Sequence, residues 1–111
     1  EPLAALNKEW GDLTMQIGMR AMQNPDEVGA AAVDYLYFSG YVTLAYLWAR
    51  MALVAQEAVA AGTTDVDFYN AKVTTARFYF KKILPRVRSH VDVLSTGLEP
   101  LMALDAEHFA F

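Results

Sequence analysis

His90 and His108 are the chain's two histidines, and they stand 18 positions apart with no HExxH or ExxH spacing around either. A helix that grips a metal brings its ligands to one face at intervals of three or four residues, and neither histidine has such a partner. Asp105 and Glu107 flank His108, a pattern that ordinary surface composition also produces. Hydrolytic chemistry has no better footing: Ser39, Ser89 and Ser95 lie outside any G-x-S-x-G elbow. The six glycines are scattered singly, so no phosphate-cradling loop forms. The absence of cysteine removes disulfides, thiolate nucleophiles and cysteine-ligated zinc. No catalytic, cofactor-binding or metal site is therefore expected from these residues.

The charged residues carry more information. Asp34 and Arg50 lie in the most apolar stretch of the chain, where a charge either reaches solvent at the rim or pairs with another helix or domain. Lys72, Arg77, Lys81, Lys82, Arg86 and Arg88 follow one another with no acidic residue between Phe68 and Val91. On a helix Arg77, Lys81 and Arg88 can share one side and Lys82 and Arg86 an adjoining one, giving a basic face opposite an apolar stripe. That face can be simply solvated, can meet an acidic protein surface, or can meet the phosphates of a ligand. The formal net charge of −4 disfavours RNA and anionic lipid.

The elements that position these residues are helices. Leu3, Leu6, Trp10, Leu13, Ile17 and Ala21 step by three and four, the stripe of one buried helix face; Gly11 and Gly18 inside it imply close helix contact or a weak helix. Asn24-Pro25-Asp26-Glu27 reads as the start of a second helix, with Asn24 as cap and Glu27 at the capping-box position. It is expected to run from Pro25 to about Ala61, with Gly62 as its left-handed cap and Gly40 at a bend or a close crossing. Its interior is apolar enough that a membrane span has to be weighed, but Asp34 and the lack of a basic anchor cluster favour burial among protein neighbours. Its aromatic residues, Tyr41 and Trp48 among them, then become candidates for a packing interface.

A third helix starts at a Thr64-to-Asp67 capping box, or at Asp65, and carries Tyr69, Val73, Ala76, Phe80, Ile83, Val87, Val91 and Leu94 inward. Pro85 should kink it, Gly97 and Pro100 should end it, and the apolar segment from Leu98 to Phe111 should dock. The expected fold is all-α: a single antiparallel up-down bundle over residues 1–111, with three long helices and a docked C-terminal segment. At 55% hydrophobic residues, the 111-residue chain has more apolar surface than one small domain needs, which points to a further domain or subunit. The chain opens on Glu1 without a leader pattern, so separation from a longer precursor and a cytoplasmic setting are the expectations.

Three segments in order, Tyr35–Met51 (YLYFSGYVTLAYLWARM), Phe68–Pro85 (FYNAKVTTARFYFKKILP) and Glu99–Leu104 (EPLMAL), give the chain its family likeness. Together they resemble the additional C-terminal helical domain of bacterial acyl-CoA dehydrogenases similar to 3-methylmercaptopropionyl-CoA dehydrogenase. The likeness covers nearly the whole chain, departing at Asp105, where the family often has proline before the position of Ala106. It implies a parent flavoenzyme in which FAD and a catalytic glutamate oxidise acyl-CoA to enoyl-CoA, with electrons passing to an electron-transfer flavoprotein. None of those elements falls on this chain, so Glu27, Glu57, Glu99 and Glu107 inherit no catalytic role. The expected partner is the dehydrogenase core of the same chain or of a neighbouring subunit. An independent helical interaction module is the alternative, and a membrane-associated protein a more distant one.

Overall fold

The chain's structure, a computed structural model, describes residues 2–108. Helix α1 spans Pro2–Gln23, α2 spans Asp26–Ala60, α3 spans Val66–Phe78 and α4 spans Val87–Leu94, with a four-residue turn of helix, α5, at Glu99–Met102. There is no strand among the described residues. The short connections 24–25 and 61–65 reverse the chain twice, so α1, α2 and the α3–α4 column run up, down and up. α2 lies centrally and packs on both of the others.

Local chemistry explains the ends. Asn24 Oδ1 accepts the backbone N–H of Asp26 at 3.1 Å, so Asn24 does the capping work although Pro25 occupies the cap position. At the other end Gly62 adopts φ +87°, Thr63 N–H reaches the Ala58 carbonyl at 3.2 Å and Gly62 N–H the Val59 carbonyl at 3.1 Å, a Schellman closure. The third helix starts differently from the expected Thr64 box. Asp65 is the cap residue without a side-chain bond, and Thr63 Oγ1 accepts the Asp65 N–H at 3.2 Å.

Pro85 does not break the third helix. It has no N–H for the Lys81 carbonyl, and the backbone widens into a π turn at Tyr79–Ile83, where Leu84 N–H bonds Tyr79 C=O, then tightens into a 3₁₀ turn at Leu84–Arg86. This changes the inward register. Tyr79 and Leu84 are buried while Phe80 and Ile83, the residues expected from a uniform stripe, are half-buried.

The core joins Leu6 and Leu13 of α1, Phe38, Val42 and Ala45 of α2, and Tyr79, Leu84, Val87 and Leu94 of the column. Every expected stripe position of α1 faces it or lies half-buried at its edge. Tyr79 is buried, and its hydroxyl donates to the Tyr41 carbonyl at 2.6 Å. Burial, then the neighbouring Tyr41, pushes the Tyr79 phenol up to about 12. The folded state thus holds this proton more tightly than the unfolded chain, and the stabilisation is complete below pH ~10 and lost as pH rises toward ~12. A Tyr79→Phe variant should flatten that alkaline loss, a difference on the order of 1 to 2 kcal/mol in denaturant titrations at pH 9 and 11. Equal pH dependence in the two proteins would refute the assignment.

One expectation about the ends of the bundle is overturned. Every described residue from Glu99 to His108 is exposed, Leu101, Met102 and Leu104 included, so this part of the segment does not dock. Its path turns at Gly97, at φ +72°, beside Arg20 and Glu27 at the α1–α2 turn. Phe109 and Phe111 lie outside the described residues. The segment therefore leaves the bundle at the α1–α2 turn.

Gly11, Gly18 and Gly40 have open space where a Cβ would stand, so none marks a close crossing within this chain. The overall shape is flat and long, 69 × 32 × 17 Å. Its radius of gyration is 19.5 Å against about 13 Å for a compact domain of this length. Its accessible surface of 7882 Å² exceeds that of a compact chain of this size by about 1,800 Å².

Candidate functional site: the uncovered faces of the bundle

Many large apolar side chains stand on this surface. On α1, Met15, Met19 and Met22 recur at four and three residues and stand exposed on the face turned away from the core. Beside them a groove of about 300 Å³ runs between α1 and α2, lined by Thr14, Ile17, Gly18, Val28, Ala31, Ala32 and Tyr35. Tyr35 fixes its wall: Trp10 Nε1 donates to the Tyr35 hydroxyl at 3.1 Å, and Thr14 Oγ1 lies 2.5 Å from the same oxygen. A second groove of about 300 Å³ lies between α2 and α3, at Arg50, Met51, Val54, Ala55, Phe68, Tyr69 and Lys72. On α2 itself Val33, Leu36, Leu44, Leu47, Met51 and Val54 form an exposed row opposite the Phe38–Val42–Ala45 core stripe.

The basic residues sort into two groups. Arg88 is tied to Glu9 of α1 by both guanidinium nitrogens, Nη1 to Oε2 at 3.2 Å and Nη2 to Oε1. The Glu9 hydrogen bond raises the Arg88 pKa further, and the pair joins α1 to α4. Arg77, Lys81, Lys82 and Arg86 are exposed and make no ion pair within the described residues. Lys72 lies over the Phe68 ring, 5.0 Å from its centroid. Of Arg77, Lys81, Lys82, Arg86 and Arg88, four are thus without an ion pair among the described residues.

The remaining candidates belong to the bundle. Tyr41 and Trp48 are half-buried and packed against the core of this chain. Asp34 pairs across helices with His90, Oδ1 to Nδ1 at 2.8 Å, and the His90 ring stacks on Tyr37 at 5.4 Å and tilts against Tyr41 at 5.8 Å. Of the two readings the sequence left for Asp34, solvent at the rim or a partner on another helix, the second holds, and His90 was not singled out as that partner. Arg50 is exposed and reaches back over Tyr46, its Nη1 at 3.3 Å from the hydroxyl. Ser89 and Ser95 bond to backbone carbonyls of their own helix, at Arg86 and Val91.

No group of three or more histidine, aspartate or glutamate side chains that could hold a metal occurs among the described residues. Both grooves have almost wholly apolar linings, with Arg50 and Lys72 at the second one supplying the only charged side chains among the residues that line them.

Comparison with known proteins gives the chain a family. A family model described as acetyl-CoA dehydrogenase C-terminal like matches residues 1–105. The chain is 35% identical over 85 residues to the broad-specificity linear acyl-CoA dehydrogenase FadE5 of Mycobacterium tuberculosis, a match that takes in 75% of this chain and only 14% of that relative. The matched region is thus a small part of a much longer enzyme. With nearly its whole length inside the family model and an all-α fold to go with it, the chain belongs to the acetyl-CoA dehydrogenase C-terminal-like family.

Proposed function

We propose that this chain is the non-catalytic docking domain of an FAD-dependent acyl-CoA dehydrogenase that oxidises acyl-CoA to enoyl-CoA and passes electrons to an electron-transfer flavoprotein. The observation that carries the reading is the bundle's surplus of about 1,800 Å² of accessible surface, more than twice what one partner gives to an interface of standard size. Such a surface suits an element built to be covered. The four unpaired cations complement the phosphates of a CoA or an acidic rim on the dehydrogenase core. The narrower likeness to 3-methylmercaptopropionyl-CoA dehydrogenase concerns the parent's acyl group, and no residue of this chain is assigned to select it.

A cytoplasmic, soluble setting is part of the proposal. α2 is long and apolar enough to cross a membrane, but that length and composition also fit a central bundle helix, and here α2 packs on α1, α3 and α4 and carries the Asp34–His90 pair. Core docking through the α1 face predicts a clear footprint. Met15, Met19 and Met22 should oxidise readily under mild peroxide in the isolated chain and be protected several-fold in the parent enzyme, as read by mass spectrometry. Equal oxidation in both would sink docking through this face.

A further inference from the structure

The methionine face and the outer row of α2 lie on different helices, and the second has a symmetry of its own. Gly29, Val33, Leu36, Gly40, Leu44, Leu47, Met51 and Val54 recur at three and four residues over seven turns, all of them exposed and none charged. Gly40 leaves open space in the middle of the row. Laid antiparallel on itself about a point between Thr43 and Leu44, this row is self-complementary. Val33 meets Val54, Leu36 meets Met51, Thr43 meets Leu44, and the Leu47 side chain meets the space above Gly40. Asp26 and Glu27 fall level with Ala61 and Ala60, beyond the seam, and Arg50 falls level with Tyr37, so no like charges are brought together.

We infer that the outer face of α2 pairs with the same face of a second copy of this chain, antiparallel and about a two-fold axis between Thr43 and Leu44. An isologous contact requires one patch to complement itself, and this row does so with apolar residues opposite one another and Leu47 opposite the open space at Gly40. The helix is apolar on both sides because it serves two cores, one within the chain and one between copies. The surplus surface of the bundle exceeds what one partner gives to a standard interface, leaving room for this seam and for a separate contact with the dehydrogenase core.

The chain has no cysteine, so single cysteines report the register without background. In the 111-residue chain, Thr43→Cys stands about 1.5 Å along the helix from its symmetry mate and should form an intermolecular disulfide under mild oxidation. Gly40→Cys, offset from its mate by about 10 Å, and Met19→Cys, on the other face, should not. Sedimentation should show a dimer that Gly40→Leu weakens about tenfold or more by filling the space meant for Leu47, while the monomer's own stability rises with the better helix former. Because Gly40→Leu has room within the monomer, its effect is not a folding failure.

A wild-type chain that stays monomeric, or cross-linking equal at Thr43, Gly40 and Met19, would overturn the inference. The same variants in the parent enzyme separate the two readings. Loss of the Thr43 cross-link there, with the methionine face still protected, would mean that the core covers the seam; that outcome rejects the second copy and leaves core docking intact.

Discussion

Phe38→Ala is expected to destabilise the chain by about 3 to 5 kcal/mol, the usual cost of removing a fully buried aromatic side chain. Phe38 is 0% exposed and sits where α1, α2 and the C-terminal column meet. The neighbouring core residues come from three separate helices, so collapse into the void would require all three to move together. Total stability of a domain this size is about 5 to 15 kcal/mol, and the thin, extended core places this chain toward the lower end. A gradual thermal transition in circular dichroism, in place of a cooperative one, is the expected signature. A loss under 1 kcal/mol would show that the three helices do not share a core at this position. Tyr41→Ala and Trp48→Ala should follow in the same direction with smaller losses, because both side chains line that core and are only half-buried.

Replacing Arg77, Lys81, Lys82 and Arg86 together by glutamine should raise the acyl-CoA concentration for half-maximal rate in the parent enzyme about tenfold at low salt. Each exposed charge contributes up to about 1 kcal/mol, and four contributions of a few tenths reach that factor. The rate at saturation should stay unchanged. The difference should shrink as added salt shortens the Debye length, which is ~10 Å at 0.1 M. Arg88 is left out because its guanidinium is held by Glu9. A fall in the saturating rate with unchanged apparent affinity would contradict electrostatic attraction and would assign these residues to a later step.

Much of the fold was legible because it rests on local rules. The α1 stripe, the Asn24 cap and the Gly62 reversal each depend on residues within a turn of one another, and each appears where the spacing requires. The register between Tyr79 and Leu84 was not legible, although Val87, Val91 and Leu94 beyond it face the core as the stripe requires. A uniform 3.6-residue period cannot anticipate that Pro85 is accommodated by a π turn followed by a 3₁₀ turn, which turns Tyr79 and Leu84 inward. The fate of the C-terminal segment was misread for a related reason. Apolar composition shows that Leu101, Met102 and Leu104 suit burial, but not whether the burying surface belongs to this chain.

The candidate site divides in the same way. The basic run and the apolar surplus are properties of composition and spacing, and both stand on the surface of the folded chain. Which cations remain free is a long-range fact. Arg88 meets Glu9 across 79 positions of sequence, and Asp34 meets His90 across 56, so no periodicity could have shown either pair.

The central claim is that this domain serves assembly and substrate approach while the chemistry resides in the rest of the parent enzyme. Its most direct test is single-turnover flavin reduction by the parent with and without residues 1–111, read alongside assembly state and acyl-CoA affinity. Loss of assembly or of acyl-CoA affinity, with flavin reduction retained at saturating substrate in whatever remains folded, is the predicted result. Normal folding, assembly and substrate binding in the shortened enzyme, together with loss of flavin reduction, would contradict the claim and place a catalytic group within this bundle.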